Sequence, residues 1–339
     1  MGRPSIERVA LDGPTRARVQ AGCNFINAEI ARLRQRVTVI CGACGVGFIV
    51  WMVALGGDPR LPLFLAVAVG GFFANRARKE LKQSYKGIVV KRIVAGLGKG
   101  LSYSQQSTMS RAVFESMDLF NETGGRFESE DQVSGKKGEV PFALHEVRLR
   151  RKDNNSRRRV GWTGSISLAI WAVDAIQSRG SGTAGSFVFN GLVVQLDFNK
   201  NFRGHTVIIP ESESQILGGL FGESKSRRSK DLVLMENPDF EKLFSVYSTD
   251  DQEARYLITP KLMELVMEAQ ALLGVELRLC FKSNTLLVTV PQNKDRFDVG
   301  LFSSTVTPES ALGDFVDVVN LAERLVDTLD LETRIWTRV

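Results

Sequence analysis

The sequence predicts an α+β protein: an N-terminal two-helix membrane hairpin followed by a cytosolic domain in which helices pack on an antiparallel sheet. Three observations predict it. Two uncharged apolar runs lie close together, Val37 to Leu55 and Leu61 to Ala74. Further along, short stretches with two-residue alternation are bounded by Gly, Asn and Asp, as strands are. The helical periods in that region are few and do not alternate with every strand, which separates an antiparallel α+β pattern from a doubly wound one.

The first run, nineteen residues, meets the length a spanning helix needs, about 20 residues for a hydrocarbon core of about 30 Å. The second, fourteen residues, reaches only about 21 Å. Arg60 and Arg76 flank it, and their long stems extend its reach by snorkelling. The alternatives for this run are a re-entrant segment or a buried soluble hairpin. Spanning is the expectation, because a lone first helix would leave an apolar second run against water. Gly56 to Arg60 form the connecting turn.

Arg32, Arg34 and Arg36 precede the first run, and Arg76, Arg78, Lys79 and Lys82 follow the second. Positive flanks stay on the cytoplasmic side, so both termini are expected there. The same seven residues are expected to contact anionic lipid headgroups. A cleaved signal peptide fits poorly, since the leader is long and arginine-rich and a second apolar run follows. Small residues at Cys41/Gly45, Ala43/Gly47 and Ala66/Gly70 allow close helix approach, within the hairpin or between protomers of a homo-oligomer.

A chain of 339 residues allows two domains. The formal charge of +6 is modest and concentrated beside the membrane. Membrane lipid is therefore the expected partner, and nucleic acid is not, since basic residues are not interleaved with aromatics on one face. Cys41 and Cys44 form a C-x-x-C inside the apolar run, where lipid disfavours a thiolate, so they are read as packing residues. Cys23 and Cys280 stand isolated, and no disulfide framework is implied.

The organisation expected is a cytosolic helix within 1–36, starting near Pro14, the hairpin at 37–75, a basic juxtamembrane helix at 76–100, and a cytosolic α+β domain at 101–339. The juxtamembrane helix carries an apolar stripe of Val89, Val90, Ile93, Val94 and Leu97 and ends in Gly96, Gly98 and Gly100. Its glycine-rich end fails as a phosphate loop, because a helix precedes it and glycine follows the lysine. Residues 109–120 read as a short helix or turn with a buried face. Strands are expected at 140–149, at 187–198 with Gly191 as a bulge, at 206–209, and more weakly at 232–235 and 243–247. Thr259-Pro260 caps a helix whose stripe runs from Leu262 to Leu273 and which Gly274 closes. Val275 to Phe281 reads as a half-buried strand, Ser283-Asn284 as a hairpin turn and Thr285 to Val290 as its return. Thr307-Pro308 caps the last helix, with a stripe of Leu312, Phe315, Val319, Ala322, Val326 and Leu329 and a solvated acidic far face.

An insertion at about 151–186 breaks the pattern. It joins a basic run to an apolar stretch bearing Trp162 and Trp171 and ends in a glycine-serine tail. Such a stretch fits an interfacial element lying on lipid, or a loop packing on its own domain.

For chemistry the sequence offers little. His145 and His205 fall on separate strands without ligand spacing. Asp250, Asp251 and Glu253 lack calcium-loop spacing and read as turn-forming and helix-capping. No nucleophile elbow, kinase set or zinc cluster occurs, and no cofactor is implied.

Several blocks appear in a set order after the apolar pair: LSYS at Leu101 to Ser104, FESMDLF at Phe114 to Phe120, and RFESEDQVSGKKGEVPFALHEVRL at Arg126 to Leu149. FNGLVVQLDFNKNFRGHTVIIPE at Phe189 to Glu211 and FEKLFSVYSTDDQEARYLITPKLMELV at Phe240 to Val266 complete it. The chain resembles, over nearly all of residues 37–336, a bacterial membrane-protein family catalogued as the domain of unknown function numbered thirty-one thirty-seven. The resemblance implies a multi-pass protein of the bacterial inner membrane with a cytosolic C-terminal domain. It implies no activity and no catalytic residues, and the connection at 151–186 is longer than the pattern leads one to expect. The functional expectation is a non-catalytic scaffold or adaptor that engages a protein partner through the cytosolic domain. The alternatives are a membrane-bound enzyme acting on lipid or envelope substrates and a subunit of a transport assembly.

Overall fold

The computed structural model describes residues 13–55, 72–73, 76–77, 79–96, 100–120, 125–151, 187–197, 201–212, 231–292 and 305–333. The second apolar run lies outside them apart from Phe72 and Phe73, as do Arg78, Trp162, Trp171 and all of the insertion but Arg151.

Helix α1 runs unbroken from Gly13 to Leu55, about 65 Å at 1.5 Å per residue. Its buried positions are Val19, Cys23, Ile26, Ile30, Leu33 and Val37, alternately four and three residues apart. That spacing keeps one seam of a helix against a neighbour. Phe25, an apolar residue off the seam, is exposed. Helix α2 covers 79–96, with a π-helical turn at Lys86–Val90 and a last turn at Lys91–Gly96. Leu81, Tyr85, Val90, Ile93 and Val94 are buried along it and, with Ala77 just before it, join the hydrophobic cluster that contains the α1 seam.

The described residues form a nine-stranded sheet, paired antiparallel throughout, in the order β1-β2-β3-β4-β9-β8-β5-β7-β6. The strands are β1 Ser102–Gln106, β2 Phe127–Lys137, β3 Val140–Arg150, β4 Phe187–Asp197, β5 His205–Pro210, β6 Asp231–Leu232, β7 Phe244–Ser248, β8 Arg278–Lys282 and β9 Thr285–Pro291. Between them lie α3 Arg111–Ser116, α4 Pro238–Glu241, α5 Asp251–Leu257 and α6 Pro260–Leu273, and α7 Pro308–Thr333 follows.

Both faces of the sheet are covered. On one, Leu144, Leu192, Val194, Ile208, Leu279, Phe281 and Val288 pack in a single cluster with α1, α2, α6 and α7. On the other, Val147, Phe189, Val193, Val207, Cys280 and Leu287 pack against Phe114, Met117, Leu119 and Phe120 from α3 and the turn after it. Aromatic stacking fixes that lid, with Phe114 5.5 Å from Phe120 and 5.7 Å from Phe189. Burial on both faces explains why β3 alternates imperfectly and why β8 is not half-buried: Cys280 is as buried as Leu279 and Phe281.

One expectation is corrected. Gly191 is not a bulge; it pairs in regular register with Val147 and Pro291. A Cβ there would stand 2.2 Å from the Val290 carbonyl oxygen, so the glycine serves close approach of backbones. The register instead shifts between Glu130 and Gln132 and between Leu149 and Arg150. Strands β1 and β2 have no counterpart in the sequence reading, because their polar residues hide the alternation. The expected caps are present: the Thr259 hydroxyl accepts from Leu262 N at 3.3 Å, and Gly274 takes the left-handed conformation at φ +64°. Asp250 caps α5 through Glu253 N at 2.9 Å, while Glu253 accepts from Arg203 N and Gly204 N.

Candidate functional site

The charged residues of α1 and α2 divide into two sets. Arg32 and Arg36 are exposed on α1, with Glu29 3.6 Å from Arg32. Arg34 is half-buried. Arg76 is exposed and pairs with Glu80 at 3.0 Å, and Lys79 is exposed one helical turn along. Lys82 turns inward instead, and its ammonium donates to Glu130 on β2 at 3.1 Å.

Lys82 belongs to a partly buried charge cluster that fastens α2 to the sheet. Lys86, nearly inaccessible, donates to Glu130 at 3.2 Å and pairs with Asp131, whose side chain is wholly buried. Tyr103 on β1 donates its hydroxyl to the other Asp131 oxygen at 2.6 Å. Asp131 sits at the β2 register shift with φ +40°, a conformation that turns its side chain out of the strand alternation. Burial opposes ionisation of Glu130, but the two lysines outweigh it and hold the carboxyl at about 2. Burial, then the bond to Asp131, pushes the Tyr103 phenol up.

His145 lies on the second face, fully buried. Its Nδ1 is 2.8 Å from the Ser107 hydroxyl, which accepts from the Ser129 hydroxyl at 2.7 Å. Its Nε2 is buried without a hydrogen-bond partner. Burial depresses its pKa to about 4, against the opposing pull of Asp197. The imidazole is therefore neutral near pH 7.

His205 does not join His145; it meets Cys280. The two are diagonal neighbours on β5 and β8, where Val207 pairs with Cys280 and His205 with Lys282. Nε2 of His205 stands 3.2 Å from Cys280 Sγ and 3.2 Å from the Met117 carbonyl oxygen. Cys280 Sγ donates to Met117 Sδ at 3.5 Å. Asp118 Oδ2 lies 4.0 Å from the other ring nitrogen, Nδ1. Asp118 adopts φ +54°, so the chain reverses after α3 and lays Met117 and Asp118 over the strands. Lys282 holds that end of α3 by donating to the Ser116 carbonyl at 2.6 Å. The sequence reading left Cys280 and His205 isolated. Alternation puts Cys280 on the face opposite Leu279 and Phe281, but nothing local says that β5 is its neighbour or that α3 covers it.

No curated protein matches this chain. Among solved structures, the crystal structure of the mycobacterial trehalose monomycolate transport factor A, TtfA, overlaps it with 13% identity. The overlap covers 74% of this chain and 97% of that one, at a TM-score of 0.35, too low to establish a common fold. Residues 187–331, from β4 into α7, match the family described as Protein of unknown function (DUF3137). That match, over part of the chain, is to the family of unknown function that the sequence blocks resemble.

Proposed function

We propose that the chain is an integral membrane protein whose apolar hairpin holds a cytosolic α+β domain against the bilayer, and that this domain is a non-catalytic scaffold or adaptor for a protein partner. The change in α1 at Val37 carries the reading. Up to Val37 the helix buries a seam against the domain; beyond it Val39, Val46, Ile49, Val50 and Val53 are exposed. Residues 38–55 extend about 27 Å, close to the thickness of a hydrocarbon core, and the helix is long and apolar enough to cross one. A bare apolar surface of that extent calls for lipid or a partner. Packing of α2 back into the α1 cluster, with Phe72 and Phe73 exposed just before Arg76, supports a return leg across the same bilayer. Arg32, Arg34, Arg36, Arg76 and Lys79 then form a collar at the headgroups.

The adaptor role draws support from two features. The Lys86 cluster ties α2 to β1 and β2, so the sheet is held in a set orientation to the membrane. At the far end of the sheet β6 is the terminal strand, and Leu232 and Leu234 are exposed on and beside it. Among the described residues no strand pairs with the outer edge of β6, and such an edge with exposed leucines suits a peptide segment that adds as a further strand.

Full-length protein in native membranes, carrying a photo-crosslinking residue at Trp51 or at Leu234, tests this. The expected result is retention in the membrane through alkaline carbonate, lipid adducts at Trp51, and a reproducible protein adduct at Leu234. Release by carbonate removes the membrane assignment. Retention with no protein adduct at Leu234 removes the strand-edge adaptor.

A further inference from the structure

We propose that Met117, His205 and Cys280 form a binding site for copper(I), with Asp118 orienting the imidazole. Three soft donors meet here: a thiol, an imidazole nitrogen and a thioether, with Sγ 3.2 Å from Nε2 and 3.5 Å from Sδ. Counting only His, Cys, Asp and Glu, no three described residues gather closely enough to hold a metal; here the third donor is a thioether. That donor decides the metal. Thioethers and thiolates select copper(I), whereas carboxylate and carbonyl sets suit magnesium, calcium or manganese.

A metal-bound histidine coordinates through one ring nitrogen and donates its other N–H to a carboxylate or carbonyl. Here Nε2 faces Cys280 Sγ and also the Met117 carbonyl oxygen, each at 3.2 Å, while Nδ1 lies 4.0 Å from Asp118. Metal binding therefore requires the proton to sit on Nδ1, Nε2 to give up the Met117 carbonyl, and Asp118 to close on Nδ1. Asp118 is held there by its left-handed backbone and by the α3 end that Lys282 pins. Metal–donor bonds of about 2.0–2.3 Å place donors roughly 3.5–4 Å apart, so Nε2 and Sδ each need move only a few tenths of an ångström from Sγ to fall in that range. Cys280 and Met117 are buried, but the His205 and Asp118 side chains remain partly exposed at the rim. On binding, the Cys280 thiol loses its proton to solvent and the thiolate takes the metal; the copper stays monovalent throughout. Affinity therefore rises with pH.

The test titrates full-length detergent-solubilised protein with copper(I), kept reduced anaerobically with ascorbate, in competition with a chromogenic copper(I) chelator. The background carries Cys41→Ala and Cys44→Ala, since that pair could itself hold copper. The expected result is one equivalent of copper per chain, abolished by Cys280→Ser. Met117→Leu, a volume-conserving change, and Asp118→Asn should each weaken binding by about 10-fold or more. Circular dichroism confirms that each variant is folded, and Met117→Leu stands alone if Cys280→Ser does not fold. X-ray absorption on the loaded protein should show one nitrogen and two sulfurs. Absence of binding in the background protein overturns the proposal. So does binding indifferent to Met117→Leu, or a single sulfur in the metal's shell.

Discussion

Replacing Lys86 with Met isolates the value of the α2–sheet fastening. The substitution keeps the length and most of the volume of the side chain and removes only the ammonium. Asp131 is left as a buried carboxylate with one remaining donor, the Tyr103 hydroxyl. Removing one partner of a buried ion pair costs about 3–5 kcal/mol, because the other charge stays desolvated. The Glu130 half of the cluster is nearly half exposed and screened, so it adds little to that figure. The expected loss is therefore about 3 kcal/mol in urea unfolding of the solubilised protein. Lys86→Met with Asp131→Asn should recover most of it, since asparagine still accepts from Tyr103 and tolerates the left-handed backbone at φ +40°. A single-variant loss below about 1 kcal/mol, or a double variant no better than the single, refutes the account of Asp131 as a charge held by Lys86.

Three further predictions follow from other parts of the fold. His145 has a folded pKa near 4 against an ordinary 6.5, so the unfolded chain binds the extra proton between those values. Its contribution is complete above pH 6.5 and declines as pH falls toward 4, by on the order of 3 kcal/mol; His145→Asn should flatten that slope in unfolding measured from pH 7 to 4. Gly191→Ala drives a methyl into the Val290 carbonyl at 2.2 Å and should cost about 2 kcal/mol or more, read as a lowered urea midpoint. Thr259→Ala removes the α6 cap and should cost about 1 kcal/mol by the same measurement, with Thr259→Ser near neutral.

The sequence made the local features legible and left the tertiary ones hidden. Thr259-Pro260 and Gly274 bound α6, and Asp250 caps α5, because capping is decided within one turn of chain. The full-length α1 follows from an arginine-rich stretch running into an apolar run without a proline. Strands β1 and β2 escaped because SYSQQ and FESEDQVSGKK are mostly polar, and their place comes from pairing β2 with β3 and β1 with β2. Gly191 was misread because a bulge glycine and a close-approach glycine look alike until the neighbouring strand is known. The Met117–His205–Cys280 grouping joins three segments up to 163 residues apart, and no spacing rule could reach it. Lys82 reads as one more basic flank residue, yet the position of Glu130 across the fold turns it inward.

Helix α1 has no proline between the seam at Val19 to Val37 and its apolar end at Leu55, and it runs unbroken through Gly42, Gly45 and Gly47. Its domain half is clamped where Asn27 exchanges two hydrogen bonds of 2.9 Å with the Val306 backbone at the entry to α7. On the membrane reading proposed above, a rod gripped at one end and immersed at the other behaves as a lever. Tilt imposed by a thicker or thinner bilayer would then be delivered to the sheet as rotation instead of being absorbed at a joint, and lipid composition would set the angle of the β6 edge to the membrane.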